Sequence, residues 1–144
     1  MGSNKIPMTS DRIIDLIVAL KHKCSIREED IQKEFDLSLA EYHGVTVMEP
    51  DEKVTCSEFS DRLALSPSRG SRIIGKMMEK GFINYDSIPG DRRAHSLSLT
   101  PKGKRVKNKV EQKKDECEKT IREHYSEQQA VELKITLTGL LEAL

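Results

Sequence analysis

Six residues within an eleven-residue window, Ser66, Ser68, Arg69, Ser71, Arg72 and Lys76, and three more at Asp91, Arg92 and Arg93 are the side chains here best suited to chemistry. That chemistry is recognition, not bond making. Arginine can bridge the O6 and N7 of guanine or hold phosphates, and serine hydroxyls commonly bond phosphate oxygens. No Ser/His/Asp spacing, glycine-rich phosphate loop or paired-carboxylate motif occurs, and His22, His43, His95 and His124 are dispersed. An enzyme is not expected, nor a cofactor.

The elements that must position these residues lie between Thr55 and Gly103. Thr55–Leu65 has the pattern of a short amphipathic helix with Phe59 and Leu63 inward, opened by the capping box Thr55-x-x-Glu58. Ser66-Pro67-Ser68 interrupts it. Ser66 can cap the next helix, with Pro67 at its first position, where a missing N–H costs nothing. That helix stops at Gly81. Its apolar side is Ile73, Ile74, Met77 and Met78, and its outward side is Ser68, Arg69, Ser71, Arg72 and Lys76. Phe82–Tyr85 and His95–Leu99 read as short strands joined by a loop over Asp86–Ala94. Pro89-Gly90 suits a type II turn there, Arg92 and Arg93 sit where a hairpin tip could reach a minor groove, and a local Asp91–Arg pair would fix the loop. The expected fold class is mostly α with a small β-hairpin wing, a winged helix-turn-helix whose second helix can enter a major groove.

The flanks read as helices. Ser10 can cap a first helix to about Lys23, with Ile13, Leu16, Ile17 and Leu20 in helical period. Ser25-x-x-Glu28 has the capping-box pattern for a second, to about Phe35. Ser38-x-x-Glu41 opens a third with Leu39, Tyr42, Val45 and Met48 inward, and Glu49–Glu52 is a turn. Thr100-Pro101 starts a long helix to about Tyr125. Ser126-x-x-Gln129 opens a last one carrying Val131, Leu133, Leu137, Leu140, Leu141 and Leu144. These C-terminal helices are too apolar to stand free, so packing against the N-terminal helix of a second chain is expected.

Formal net charge is zero, but it is unevenly placed. Residues 1–65 carry 8 Lys/Arg against 13 Asp/Glu, a net −5. Residues 66–110 carry 11 against 3, a net +8, and residues 111–144 carry 5 against 8, a net −3. Clustering of this kind on a helix-turn-helix points to phosphate contact more than the whole-chain total does. The other use of such a fold is a winged-helix protein-interaction module without DNA binding, for which a +8 face has little purpose. No apolar run is long enough for a membrane span, and no signal peptide is evident. With three scattered cysteines, Cys24, Cys56 and Cys117, a reducing, cytoplasmic setting is expected.

The helix VTCSEFSDRLAL, the turn SPS, the helix ending in MMEKGFI and above all DRRAHSLSLTPKG resemble the MarR family (multiple antibiotic resistance regulators). Asp91-x-Arg93 followed by Leu97-x-Leu99-Thr100-x-x-Gly103 is the most specific part, and the likeness extends over nearly the whole chain. It implies a single domain over residues 1–144, with 1–36 and 101–144 as dimerisation helices and 37–100 as the DNA-binding lobe. It also implies a triangular homodimer on palindromic double-stranded DNA, usually a repressor, released by a small ligand or an oxidant. Carried over, Ser68, Arg69, Ser71 and Arg72 fall on the recognition helix, Asp91 and Arg93 on the wing's Asp-x-Arg and Arg92 on its tip. A small aromatic effector would sit between dimer arms and lobe.

The chain departs from the family at Gly70, usually β-branched or apolar, and Gly75 adds a second glycine. These imply a less rigid recognition helix or a close approach to DNA. Cys24, beside Lys21, His22 and Lys23, is the candidate redox residue, although a place near a helix C-terminus works against the thiolate. His22, Cys24, Glu41 and His43 lack metal-ligand spacing, and no metal is expected.

Overall fold

The computed structural model describes residues 12–144, apart from the side chain of Ile26. The cap expected at Ser10 lies outside them. The chain forms two units, one ending at Lys107 and the other running from Asn108 to Leu144.

The first unit begins with α1, Ile13–Phe35, a single helix of 23 residues. The break expected at Ser25 is absent. Ser25 Oγ donates instead to the Lys21 carbonyl at 3.0 Å, the back-bond a serine makes inside a helix. Cys24 is therefore exposed in mid-helix, not near a C-terminus. The helix ends at Asp36, left-handed at φ 53°, with the Leu37 N–H on the Gln32 carbonyl. Ser38 and Glu41 form the expected reciprocal cap of α2, Leu39–Thr46. Tyr42, Val45 and Met48 are buried, but Leu39 is 52% exposed. As the first helical residue it points back past the helix end, where helical side chains lean.

A two-residue strand, β1 (Val54–Thr55), precedes α3 (Cys56–Arg62), again with a reciprocal Thr55–Glu58 cap. Then come α4 (Pro67–Glu79), capped by Ser66 with Pro67 at its start, β2 (Ile83–Ile88) and β3 (Asp91–Leu99). The sheet is antiparallel in the order β1-β3-β2. Both hairpin strands reach further than the sequence suggests, leaving only Pro89-Gly90 as the turn, with Gly90 at φ +88°. The core of this unit is Val45, Met48, Val54, Phe59, Met77, Phe82, Leu97 and Val106, all 0–1% exposed. α3 and α4 approach unusually closely. A Cβ on Gly70 would lie 1.9 Å from Ser60 Oγ and 2.9 Å from its Cβ. Gly70 thus faces α3, not DNA, and its missing side chain serves packing.

Helix α5, Pro101–His124, starts on Thr100, whose hydroxyl accepts from the Gly103 N–H and donates to the Gly81 carbonyl. In the second unit α6, Glu127–Ala143, is capped reciprocally by Ser126 and Gln129. Its Val131, Leu133, Ile135, Leu137 and Leu141 are exposed, as are Ile13, Ile14, Leu16, Val18 and Leu20 of α1.

Charged groups close several helix ends. Lys80 reaches Glu41 at 2.9 Å, and Glu41 is 2% exposed. Burial pushes that carboxyl up, but the Ser38 N–H and the lysine overcome it, and its pKa falls below the ordinary value. The buried Lys107 donates to the Thr46 carbonyl at 2.6 Å. Arg62 holds Glu52 with both of its terminal nitrogens and also donates to the Val47 carbonyl at 2.8 Å.

Three stability predictions come from this packing and these ion pairs. Gly70→Ala should destabilise the chain by about 1–3 kcal/mol through overpacking. Gly75→Ala, whose Cβ would meet nothing within 4 Å, should stabilise it by about 0.5–1 kcal/mol through helix propensity. Urea melts of the two variants would show opposite shifts, and a stabilised Gly70→Ala would refute the close contact. The Arg62 bond and the Glu49 N–H lower the Glu52 carboxyl from 4.5 to about 2. A carboxyl lowered on folding adds stability above its unfolded value and loses it on acidification. The Glu52 part should therefore fade between pH 4.5 and about 2. A carboxyl-detected NMR titration should give a midpoint near 2 that Arg62→Ala returns toward 4.5.

Candidate nucleic-acid interface

Helix α4 presents two opposed stripes. Gly70, Ile74 and Met77 are its buried residues, spaced four and three apart, as one face of a 3.6-residue helix requires. Ser68, Arg69, Ser71, Arg72 and Lys76 are all exposed, together with Ser66 at the cap. Arg69, Arg72 and Lys76 recur at three and four residues, so their charges line one edge of the helix. Ile73 is half-buried between the stripes, and Met78, expected in the core, is 41% exposed. Ser66 Oγ accepts from the Arg69 N–H at 3.3 Å and lies 3.3 Å from Ser68 Oγ. That hydroxyl is engaged in starting the helix.

The wing carries Asp91, Arg92 and Arg93 on β3, all exposed. Strand pairing steps from Ser87↔His95 to Ile88↔Asp91, so Arg92, Arg93 and Ala94 stand in the irregularity. A bulge of this kind turns side chains out of the regular alternation. Asp91 fixes the place differently from the expected ion pair. Its Oδ1 accepts from the Arg93 backbone N–H at 3.0 Å, which orders the turn and leaves the guanidinium outside that bond.

The basic charge of residues 66–110 is divided between two uses. Lys80, Lys102, Lys104 and Lys107 are turned onto the protein: Lys102 on the Lys80 carbonyl and over the Phe82 ring, Lys104 on Asp51, and the other two on the contacts above. Among the described residues no ion pair involves Arg69, Arg72, Lys76, Arg92 or Arg93. Lys109 takes part in a further contact, and Arg105 is exposed on α5. The usable positive field is thus narrower than +8 and lies mainly on the helix edge and the wing.

Two features escaped the sequence reading. A cavity of about 310 Å³ beside α4 is lined by Ala40, His43, Leu63, Leu65, Arg69, Arg72 and Ile73. It mixes an apolar floor with two of the candidate arginines. No motif marks it, because its walls come from α2, the α3–α4 turn and α4. At the base of the wing, Tyr85 stacks on His95 with ring centroids 4.3 Å apart, and His95 Nδ1 is buried without a hydrogen-bond partner. Burial pushes the nearby Cys56 thiol up, against the opposing Tyr85 hydrogen bond, so Cys56 is held as a thiol. Strand parity could have revealed the stack, since Tyr85 and His95 are diagonal neighbours on one face. Among the described residues no group of three His, Cys, Asp or Glu side chains could hold a metal ion, and no helix is long and apolar enough to cross a membrane.

No protein-family model matches this chain, and no curated protein matches it in sequence. Solved structures do. The chain is similar to Streptococcus pneumoniae FabT in complex with DNA, at 23% identity over 88% of this chain and 90% of that one, with a TM-score of 0.79. The S. aureus MepR–DNA complex matches at 19% identity over 89% and 96%, with a TM-score of 0.68. The reduced form of MarR from E. coli matches at 16% identity over 90% and 96%, with a TM-score of 0.71. All three are MarR-family winged-helix regulators. At these identities the likeness is one of fold, and the fold is the one the residue pattern implies.

Proposed function

We propose that this chain is a DNA-binding transcription regulator, a repressor that takes a palindromic operator as a homodimer. The observation that carries the reading is the exposed edge of α4. Arg69, Arg72 and Lys76 lie in line there, opposite a buried stripe that holds the helix by Gly70, Ile74 and Met77. Such a helix can lie in a major groove, with Arg69 and Arg72 placed to read base edges or hold phosphates. Arg92 and Arg93 on the wing would reach the adjacent minor groove, and Ser68 and Ser71 would bond phosphates. FabT and MepR, which share the fold, have been crystallised with DNA, and that likeness supports the reading.

Dimerisation is inferred from exposed apolar surface. Ile13, Val18 and Leu20 on α1 are 58–73% exposed, and Ile135 and Leu141 on α6 are 67% and 81% exposed. Burying a side chain of this type stabilises by about 1.5–3 kcal/mol. A second copy that covers these faces would supply what a single chain leaves in water. Release is inferred to come from a small aromatic ligand with an anionic group. The 310 Å³ cavity shares Arg69 and Arg72 with the proposed DNA surface, so a ligand there would compete for the same charges.

Two measurements test this. A mobility-shift assay on the gene's own upstream region should give a shift at low salt, with log affinity falling by about 0.9 per phosphate contact for each log unit of salt. Arg69→Ala and Arg72→Ala should each cost about 1–3 kcal/mol, and a shift unchanged by both would remove the interface. Light scattering should give twice the chain mass, and Leu137→Glu or Val18→Glu should move it toward the monomer. A wild-type chain that is monomeric at micromolar concentration would refute the dimer.

A further inference from the structure

Helix α1 meets the lobe through very little. Among the described side chains of α1, Ile31 alone is buried, and Leu37, just past the helix, is the next. Between them Asp36 reverses the chain in the left-handed region. A polar clamp stands at this point. Lys80 Nζ donates to the Asp36 carbonyl at 2.7 Å and to Glu41 Oε2 at 2.9 Å. The same Oε2 accepts from the Ser38 N–H at 2.7 Å and so belongs to the cap of α2. Lys80 is itself the C-cap residue of α4, and its carbonyl accepts from Lys102, in the first turn of α5, at 2.8 Å. One residue therefore joins the end of α1, the start of α2, the end of α4 and the start of α5.

The lever arm makes this contact matter. At 1.5 Å per residue, α1 is about 35 Å long, so a 10° swing about Asp36 would move its far end by about 6 Å. A base-pair step is about 3.4 Å. Such a swing would change the separation of two recognition helices by more than one step if the arms are what joins the two copies. Ile31 is the one buried side chain among those described on α1, with Leu37 just beyond it, so little of the helix is anchored by apolar burial. Lys80 is a direct polar link from the arm's end to the recognition helix.

We propose that Lys80 is a positioning residue that sets the half-site spacing the dimer accepts, by clamping the α1 arm to the C-terminal end of the recognition helix. The inference rests on the dimeric DNA-binding reading above. It differs from a plain stabilising ion pair in its consequence, because loss of the clamp should relax spacing selectivity while leaving each lobe's own contacts intact.

The test uses the full chain and a duplex that the wild type selects from a random pool. Binding is measured on that duplex, on one isolated half-site, and on versions with one base pair inserted or deleted between half-sites. Lys80→Met alone would leave Glu41 buried without its cation, so the variant is Lys80→Met with Glu41→Gln. Half-site affinity should stay within about twofold, full-site affinity should fall about tenfold, and the penalty for a one-base-pair change of spacing should shrink to less than about threefold. Lys80→Arg should restore the wild-type pattern. An equal loss on half-site and full site would show a merely structural role and overturn the proposal, as would an unchanged spacing penalty. If the double variant does not fold, Lys80→Gln with Glu41→Gln decides. It removes the ammonium from the Asp36 carbonyl while leaving a neutral amide beside position 41. The spacing penalty should again shrink, and a full penalty would overturn the idea. A wild type that selects no duplex at any salt would overturn the functional reading itself and this inference with it.

Discussion

The approach of α3 to α4 at Ser60 and Gly70 is the contact on which the lobe's geometry depends. No Cβ fits at Gly70, where Ser60 Oγ would lie only 1.9 Å away, and that hydroxyl is itself tied to the Cys56 carbonyl at 3.0 Å. With the helices this close, Ile74 and Met77 are buried in the core, and the rotation of α4 about its axis is fixed. Arg69, Arg72 and Lys76 face outward because of that rotation. A larger residue at position 70 would separate the helices and turn the basic edge, so packing on one side of α4 determines what the other side presents.

Electrostatics around the lobe follow from a division of labour among cations. Lysines with a carbonyl or carboxylate within reach close helix ends, where a positive charge suits the helix dipole. Lys80 on the C-cap carbonyl of α1 and Lys107 on the last residue of α2 are the clearest cases. Among the described residues no ion pair involves the arginines of α4 or the wing. Asp91, which could have neutralised Arg93, is occupied by a backbone N–H instead. A carboxylate beside an arginine proposed to face DNA would look like a flaw by charge count alone. Its hydrogen bond makes it part of the turn's construction.

What sequence reading recovers here depends on how local the governing interaction is. Caps at Ser38, Thr55, Ser66 and Ser126 were readable because a cap involves four consecutive residues and little else. Ser25 shows the limit of the same pattern. With helical neighbours on both sides its hydroxyl bonds back to Lys21, and the Ser-x-x-Glu spacing carries no information about what precedes it. The length of the wing, the short β1 and the duty of Gly70 were not readable, because each is decided by a partner distant in sequence. Val54 pairs with Leu97 and Gly70 is limited by Ser60. Of the candidate site, the residue types and the exposed stripe were apparent from periodicity. The cavity and the withdrawal of four lysines of the +8 segment onto the protein needed the fold.

By its total, a chain of zero net charge is a poor partner for a polyanion, but screening makes the total a weak guide. At physiological ionic strength, exposed charges more than about 8 Å apart are largely screened, and 8 Å along a helix is only about five residues. The acids that cancel the total lie mainly in residues 1–65 and 111–144. Along α4 the one acid is Glu79, near the C-terminal end, three residues past Lys76 and seven past Arg72. Among the described residues no carboxylate pairs with Arg69 or Arg72, so the chain's sum does not describe the field there. Neutrality overall and positive charge at one edge are compatible, because screening makes recognition a local property.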